Sequence, residues 1–351
     1  EHYVSEQTSV NAAAREVASL LTGRLSTGEL SDMSSSLEEM FAWCAVRNVF
    51  DCKRIFTESF YDNTLGNCYS FNNKSGITNE RHIVQSTWYT EGLRMIVAVD
   101  EAQYMDYSDT VGSKVSFSMP FRQVFPANQG FSVPAGFKAT YTLTMTKIKH
   151  LGQPYKSCTD KNVPPSLYRG AYSVEMCERS EEQRFYLTSC GCGHPSLPLP
   201  KGEISCHSFD ELACLANASL NRKLSDINCP MPCSEETFDV SESVVVWPAI
   251  GVQAPPAILA RLNKMTNACG NATKKACREA FRRNFSFVQI FYQQLSFLNF
   301  EEIPKENFSI LLSSLGANSS CWLGMSIISF CELAVQLVIH LSRLFRKYTF
   351  K

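Results

Sequence analysis

Alternating apolar and polar positions in the middle of the chain predict β-strands. Residues 11–23 (NAAAREVASLLTG) instead place apolar residues at helical spacing with Gly23 as a stop, and we expect residues 1–60 to be helical and polar. Strands with helices inserted between them predict an α+β fold. The predicted strands are 94–104 (RMIVAVDEAQY), 138–151 (KATYTLTMTKIKHL), 243–249 (SVVVWPA) and 288–300 (VQIFYQQLSFLNF).

A long apolar run lies near the end of the chain, from Cys321 to Leu341. About 21 helical residues reach roughly 30 Å, which is the thickness of a bilayer's hydrocarbon core. A buried core helix would show a similar pattern. The basic cluster behind the run, with Arg343, Arg346 and Lys347, favours a transmembrane helix whose C-terminal end is cytoplasmic.

Polar residues inside the apolar run are its most informative feature. Glu332, Gln336 and His340 recur every four residues and share one helix face. A carboxylate against lipid costs several kcal/mol, so this face should look into a bundle or a water-filled path, although Gln336 and His340 could simply lie near the inner interface. An interruption at Gly324-Met325-Ser326 would expose carbonyls and a hydroxyl to whatever passes.

Composition indicates an oxidising, lumenal or extracellular compartment. The chain has 351 residues and 15 cysteines, and its net charge of -1 with scattered basic residues argues against nucleic acid as a partner. Residue 1 is Glu, and no stretch before residue 300 resembles a signal peptide or a span, so we expect the start to be missing or removed. Five glycosylation sequons precede the apolar run: Asn73, Asn217, Asn271, Asn284 and Asn307.

Eight cysteines fall within residues 158–233, and sequence alone cannot choose among their 105 possible pairings. A zinc site fits poorly, because only His194 and His207 are near and the cysteine spacing is not that of a zinc finger. No hydrolase, metalloprotease or phosphate-binding motif occurs anywhere in the chain. We therefore expect no enzyme activity, no cofactor and no metal.

Four ordered motifs resemble the epithelial sodium channel, degenerin and acid-sensing ion channel family. The resemblance covers about residues 41–347 and rests on the cysteine pattern AYSVEMC…CGC…CPMPC together with three further stretches. These are LGNCYSFN (65–72), GFSVPAGF (130–137) followed by HLGQPYKSC (150–158), and LLSSLGANSSCWLGMSIISFCEL (311–333).

The resemblance implies a disulfide pairing. The family's thumb region carries a nested ladder of bridges, and its usual fifth rung is missing here from both sides, at Glu181 and Ile227. Cys68 would pair with a cysteine that follows the family's first transmembrane helix, while Cys321 and Cys331 would stay reduced. The implied bridges are Cys44–Cys52, Cys158–Cys233, Cys177–Cys229, Cys190–Cys214 and Cys192–Cys206, and Cys269 and Cys277 could form one more.

The same resemblance implies a function. The chain would be most of one subunit of a homo- or heterotrimeric, voltage-insensitive, amiloride-sensitive channel that conducts Na⁺ across the plasma membrane. Gly324-Met325-Ser326 would form the ion filter, Ala317 the degenerin position at the gate and Glu332 an acidic residue of the inner pore. Tyr155 matches the aromatic residue at the family's wrist, although an ordinary core tyrosine would fit equally well.

The expected organisation follows from these assignments. An extracellular domain would span residues 1–310, with a finger at 1–85, palm and β-ball strands at 86–150 and 236–310, and a thumb at 151–235. The pore-lining second transmembrane helix would occupy 311–342 and a cytoplasmic tail 343–351. With one span in this chain, a non-conducting disulfide-rich receptor, adhesion or regulatory subunit is the alternative.

Overall fold

The chain forms two compact units, Glu1–Glu301 and Glu302–Lys351. Within them, the computed structural model describes residues 14, 17–18, 25–73, 82–106, 108, 110–159, 166–168, 170–221, 228–249, 255–266, 269, 273–324 and 326–349. The subdivision of the first unit into finger, palm and thumb stays a prediction.

Nine strands and seven helices longer than six residues carry the described fold, with shorter helical turns between them. The strands are β1 (Phe41–Val46), β2 (Phe56–Asp62), β3 (Gly66–Phe71), β4 (Leu93–Ala98), β5 (Gly112–Val115), β6 (Phe131–Pro134), β7 (Phe137–Lys149), β8 (Ser234–Val246) and β9 (Phe285–Glu301). The helices are α1 (Thr27–Met33), α2 (Leu37–Met40), α3 (Cys52–Ile55), α4 (Pro126–Gln129), α5 (Val174–Cys190), α6 (Phe209–Asn221), α7 (Pro256–Thr266), α8 (Lys274–Asn284), α9 (Phe308–Leu323) and α10 (Ile327–Thr349).

A five-stranded sheet organises the first unit, in the order β1-β4-β9-β7-β8. Its neighbouring strands are antiparallel except β7 and β9, which run parallel. Alternation along β7 buries Ala139, Tyr141 and Leu143 on one face, as the period of two requires. These residues join the main core with Val288 of β9 and apolar residues of β1 and β4.

A second apolar cluster lies between the sheet and the pair α7–α8. It buries Ile258 and Leu262 of α7 against Phe281 of α8 and Phe285 of β9. Thr273 caps α8 by accepting a 3.3 Å hydrogen bond from the Ala276 N–H, so the helix starts at a defined point. The chain passes directly from α8 into β9.

Residues 158–233 form a cysteine-rich module around α5 and α6. Ser173 caps the start of α5, and Gly191 ends it with a φ of 73°, a left-handed conformation that glycine adopts without steric cost. Its small core contains Tyr186, Leu197 and Leu215 together with disulfide sulfurs. Because the module buries few apolar side chains, its disulfide bridges do much to hold its backbone in place.

The second unit consists of α9 and α10. The helix α10 is long and apolar enough to cross a bilayer over Ile327–Phe345, and none of that stretch is buried. The alternative of a buried core helix is therefore wrong. The apolar run is interrupted, since α9 ends at Leu323, where Gly324 leaves the helical conformation, and α10 continues through Arg343.

One expectation for the N-terminal part needs correction. Residues 41–46 and 56–62 are strands, not helices, because the apolar run FAWCAV pairs with β4 and is buried there. Pairing with a distant strand overrides the helical propensity of the flanking sequence. The predicted helix at 11–23 lies outside the described residues, apart from Ala14, Val17 and Ala18, which are helical.

The four predicted strands are present with shifted ends. Residues 94–98 belong to β4, after which Glu101–Gln103 form a short 3₁₀ turn. The strand β8 includes 243–246 and ends before Trp247, while β7 and β9 cover nearly all of 138–151 and 288–300.

Candidate functional site: a helix break in the apolar unit

A break separates α9 from α10 at the predicted filter sequence. Gly324 has φ 60° and ψ 20°, and its N–H donates to the carbonyl of Ser320 over 3.0 Å. A left-handed residue at this place ends a helix, because the next residue can no longer continue the ladder. The carbonyls of the last turn of α9 then have no donor further along the same helix. Met325 lies outside the described residues.

Ser326 starts the second helix with a reciprocal cap. Its Oγ accepts from the Ser329 N–H over 3.3 Å, and the Ser329 Oγ accepts from the Ser326 N–H over 3.4 Å. The two hydroxyl oxygens are 3.2 Å apart. The Ser326 hydroxyl therefore holds the start of α10, and its oxygen has a second lone pair for another partner.

The other predicted pore residues lie on the two helices. Ala317 lies in α9 and is exposed, and Glu332 lies in α10 and is exposed. Gln336 and His340 follow Glu332 at intervals of four on α10, so the three share the face expected from their spacing. In the single chain, apolar residues such as Ile328, Leu333 and Leu337 are exposed beside them.

Six disulfides bridge the first unit. Four of them tie the cysteine-rich module together, and their Cα atoms lie 5.0–5.9 Å apart. Five bonded pairs are those that the resemblance implied: Cys44–Cys52, Cys158–Cys233, Cys177–Cys229, Cys190–Cys214 and Cys192–Cys206. The sixth bridge joins Cys269 and Cys277, the additional pair that the sequence left open. At the missing rung, Glu181 forms an ion pair with Arg184, and Ile227 lies outside the described residues.

The N-terminal end of α5 contacts the short helix α4 through a cluster that sequence reasoning missed. The Arg179 guanidinium lies 4.2 Å from the centroid of the Phe125 ring. Arg179 also pairs with Glu175 at 3.0 Å, and Glu175 accepts a hydrogen bond from Asn128 at 3.3 Å. Burial raises the pKa of the neighbouring Tyr168 to about 12. The i,i+4 spacing of Glu175 and Arg179 could have indicated their ion pair, but it gives no information about their contacts with α4.

Tyr155 is a surface residue. It lies in a turn after β7, its N–H donates to the Gly152 carbonyl over 3.1 Å, and its side chain is 57% exposed. The alternative of an ordinary core tyrosine is therefore wrong. The wrist role of Tyr155 stays a prediction.

The predicted sequons differ in accessibility. Asn217 on α6 and Asn307 before α9 are exposed. Asn284 is only 5% exposed, its amide nitrogen donates to the Ala280 carbonyl over 2.8 Å, and its amide oxygen accepts from the Glu101 N–H. We therefore expect no glycan at Asn284 in the folded chain, because its amide is buried and hydrogen-bonded at both ends. Asn271 lies outside the described residues.

Asn73 is the fifth predicted acceptor, and both ends of its amide are used. The nitrogen donates to Glu58 over 3.1 Å, and the oxygen accepts from the Phe121 N–H over 2.9 Å. The side chain is partly buried between these partners. A glycan at Asn73 would have to displace the contact to Glu58.

Cys68, Cys321 and Cys331 are free thiols in this chain. Cys68 lies in β3, where burial raises the pKa of its thiol to about 12 and the nearby Asp62 carboxylate adds to the effect. A thiol with this pKa is almost entirely protonated at neutral pH and reacts slowly. Among the described residues, no group of three or more His, Cys, Asp or Glu could hold a metal ion.

Comparison with known proteins agrees with this arrangement. The family model described as amiloride-sensitive sodium channel matches residues 6–335. The chain is similar to degenerin-like protein unc-105 of Caenorhabditis elegans, at 27% identity over 98% of this chain and 39% of the relative. It is also similar to degenerin unc-8 of the same species, at 29% identity over 86% of this chain and 39% of the relative.

A third similar protein comes from another species. Degenerin mec-4 of Caenorhabditis briggsae is 29% identical over 77% of this chain and 34% of the relative. The chain thus spans less than two fifths of the length of these relatives. Because the family model covers both the disulfide-rich unit and the helix break of the apolar unit, the chain belongs to the amiloride-sensitive sodium channel family.

Proposed function

We propose that this chain is part of one subunit of a homo- or heterotrimeric sodium channel of the plasma membrane. Members of the family are ion channels and not enzymes. We further propose that the channel is blocked by amiloride, as the family description suggests, and that it is insensitive to voltage. The chain's disulfide-rich unit would be extracellular and its C-terminus cytoplasmic, which the basic residues of the last helical turns support.

The helix break at Gly324 is the observation that supports this proposal most strongly. A helix ends there at a left-handed residue, so its last carbonyls have no donor further along the same helix, and the C-terminal end of a helix carries a partial negative charge. Interrupted helices of membrane proteins bind cations at such ends. Three copies around an axis would direct carbonyls and the Ser326 hydroxyl at a partly dehydrated Na⁺, with Met325 between them in the filter.

The positions of Ala317 and Glu332 fit an ion path along the two helices. Ala317 precedes Gly324 by seven residues, about 10 Å of helix, and would line the gate on the extracellular side. Glu332 follows Ser326 by six residues, about 9 Å of helix, and would concentrate cations below the filter. An acidic residue in an apolar helix is expensive unless it faces such a path.

Voltage-clamp recording from cells that express the complete protein tests this function. We expect an inward current that disappears when a large organic cation replaces external Na⁺, that amiloride blocks and that changes linearly with voltage. Counting of bleaching steps from labelled single complexes should give three subunits. A complete protein that reaches the cell surface without any such current under acid, stretch or resting conditions would favour the non-conducting alternative.

A further inference from the structure

The helix α8 carries positive charge on one side and almost no compensating acid. Its sequence KKACREAFRRN contains five basic residues and a single acidic one, Glu279. We call the five the basic face: Lys274, Lys275, Arg278, Arg282 and Arg283. Glu279 is also the only acidic residue between positions 243 and 300, so the adjoining segments at 250–254 and 267–272 bring no carboxylate.

The basic face borders the side of α8 that packs on the fold and extends from there towards solvent. At 100° per residue, Lys274, Arg278 and Arg282 fall within about 80° of one another around the helix and form one row of about 12 Å. Phe281 and Asn284 lie beside this row, about 20° and 80° beyond Lys274, and are buried. Lys274, Lys275 and Arg283 are exposed, and Arg278 and Arg282 are partly so.

The charges of this face are not neutralised within the described part of the chain. No salt bridge joins any of the five residues to a carboxylate there, and Arg282 instead donates to the Pro248 carbonyl over 2.8 Å. The Nε atoms of Arg278 and Arg282 are buried and have no hydrogen-bond partner. The basic residues of α7 differ, since Arg261 and Lys264 lie near the carboxylate of Glu39.

The arrangement also opposes the local preferences of a helix. The positive end of the helix dipole disfavours lysines in the first turn, and basic residues four apart repel each other. Four other helices follow the rule, with acidic residues in their first turns: Glu29 in α1, Glu39 in α2, Glu175 in α5 and Glu211 in α6. The helix α8 has no acidic residue in its first turn. Such local violations concentrate at functional sites.

The helix that presents these charges is held firmly in place. The Cys269–Cys277 disulfide ties it to the preceding segment, and Thr273 caps its first turn. Its apolar side belongs to the cluster with Leu262 and Phe285. A ligand would therefore meet basic side chains on a preordered backbone, which lowers the entropy lost on binding.

We propose that the basic face binds a linear sulfated polysaccharide of the cell surface or extracellular matrix. The disulfide-rich unit of this family is extracellular, which removes nucleic acid as a partner. Short clusters of Lys and Arg are typical of heparin-binding patches. Sulfate groups along such a chain match a row of basic residues, and the planar guanidinium of Arg278 suits a tetrahedral oxyanion.

Binding of the purified complete protein to an immobilised heparin dodecasaccharide tests this proposal. We expect K274Q/K275Q/R278Q to weaken binding about tenfold at ~150 mM NaCl, because three exposed ionic contacts are lost. The affinity of this variant should also fall less steeply as the salt concentration rises. The charge-preserving variant K274R/K275R/R278K should bind as the unmodified protein does.

A matched control removes three basic residues elsewhere, and we expect it to bind heparin normally: R54Q/K201Q/K305Q. Equal thermal midpoints of the two triple variants and the parent exclude misfolding. Heparin affinity that is unchanged in the α8 variant, or lowered equally in the control, would overturn the proposal. So would binding of vesicles rich in phosphatidylserine through Lys274 and Arg278 without binding of heparin, which would identify a lipid surface as the partner instead.

Discussion

The side-chain oxygen of Gln183 accepts a 2.8 Å hydrogen bond from the backbone N–H of His194. The amide nitrogen of the same glutamine donates to the carbonyls of His194 and Leu197, over 3.2 and 3.4 Å. Gln183 is completely buried. One side chain of α5 therefore provides hydrogen-bond partners for backbone groups of the loop that follows Cys190 and Cys192. Few apolar side chains are available there to hold that backbone in place.

We expect Gln183→Leu to lower the free energy of unfolding by about 2 kcal/mol or more. The substitution keeps the volume but removes the acceptor of the His194 N–H and the Gln183 donor to the Leu197 carbonyl, at roughly 1–3 kcal/mol for each unsatisfied group. The His194 carbonyl keeps its hydrogen bond from the Leu197 N–H. Thermal and denaturant unfolding of the complete protein measure the change. Gln103→Leu, at an exposed glutamine, should change stability by no more than about 0.5 kcal/mol. Equal effects of the two substitutions would contradict the role of Gln183.

Glycosylation should distinguish the predicted sequons. Asn217→Gln should remove one glycan, because the side chain is exposed on α6, whereas Asn284→Gln should leave the glycan mass unchanged. Mobility of the secretory-pathway protein before and after enzymatic deglycosylation gives the comparison. A glycan on Asn284 in protein at the cell surface would mean that this part of the fold is wrong.

Much of the disulfide-rich unit was predictable, because its motifs specify at which positions the cysteines stand and not only which residue types occur. Five of the six bridges join cysteines that the resemblance had paired, and the sixth joins Cys269 and Cys277, which lie close in sequence. The strand β1 was not predictable, since Phe41–Val46 become extended only by pairing with β4, some 50 residues later. The burial of Gln183 and Asn284 depends on tertiary packing in the same way. Neither residue type nor local spacing distinguishes them from exposed amides.

The sequence marked Gly324-Met325-Ser326 as a candidate interruption of the apolar run, but it did not decide whether the helix breaks there. Hydropathy alone gives one continuous run from Cys321 to Leu341, because glycine and serine are common in membrane helices. The left-handed conformation of Gly324 divides the run, and the apolar stretch of α10 extends to Phe345 instead. Only the backbone conformation of one residue separates the two outcomes.

Enlarging residue 317 should hold the channel open. In the proposed trimer, three copies of Ala317 meet near the axis, so Ala317→Val adds bulk where the closed gate needs small side chains. We expect the resting current to rise several-fold at equal surface expression, measured by voltage clamp with surface biotinylation. Ala317→Ser, which stays small, should keep the resting current near that of the parent. A resting current that is unchanged or smaller in Ala317→Val would contradict the assignment of the gate.

Removing the charge of Glu332 should reduce the supply of cations to the pore. One negative charge about 6 Å from an ion in water contributes roughly 0.7 kcal/mol, which corresponds to about a threefold local enrichment. We therefore expect Glu332→Gln to lower single-channel conductance by up to about threefold, and more at low salt because screening weakens. Glu306→Gln removes the same charge before α9 begins and should have a smaller effect. Identical conductance in Glu332→Gln and the parent would remove Glu332 from the pore.

The helix break itself can be tested by adding one methyl group at either of two glycines of the apolar unit. Gly324 has a φ of 60°, where a side chain costs about 1–2 kcal/mol, although a Cβ there would meet nothing within 4 Å in the single chain. Gly324→Ala thus favours continuation of α9 into α10 without a steric clash inside the chain. We expect the Na⁺/K⁺ permeability ratio to fall, because carbonyls withdrawn into a continuous helical ladder can no longer replace water around the ion.

Gly316→Ala is the matched control for that experiment. Gly316 lies inside α9 with equally open surroundings, so its methyl group stabilises the existing helix by roughly 1 kcal/mol instead of opposing its conformation. Reversal potentials in mixed Na⁺ and K⁺ solutions should therefore shift for Gly324→Ala and stay constant for Gly316→Ala, even if the control alters how often the channel opens. Constant reversal potentials in both variants would mean that ions are selected elsewhere than at the break, and a shift in both would mean that any added methyl group in these helices disturbs the pore.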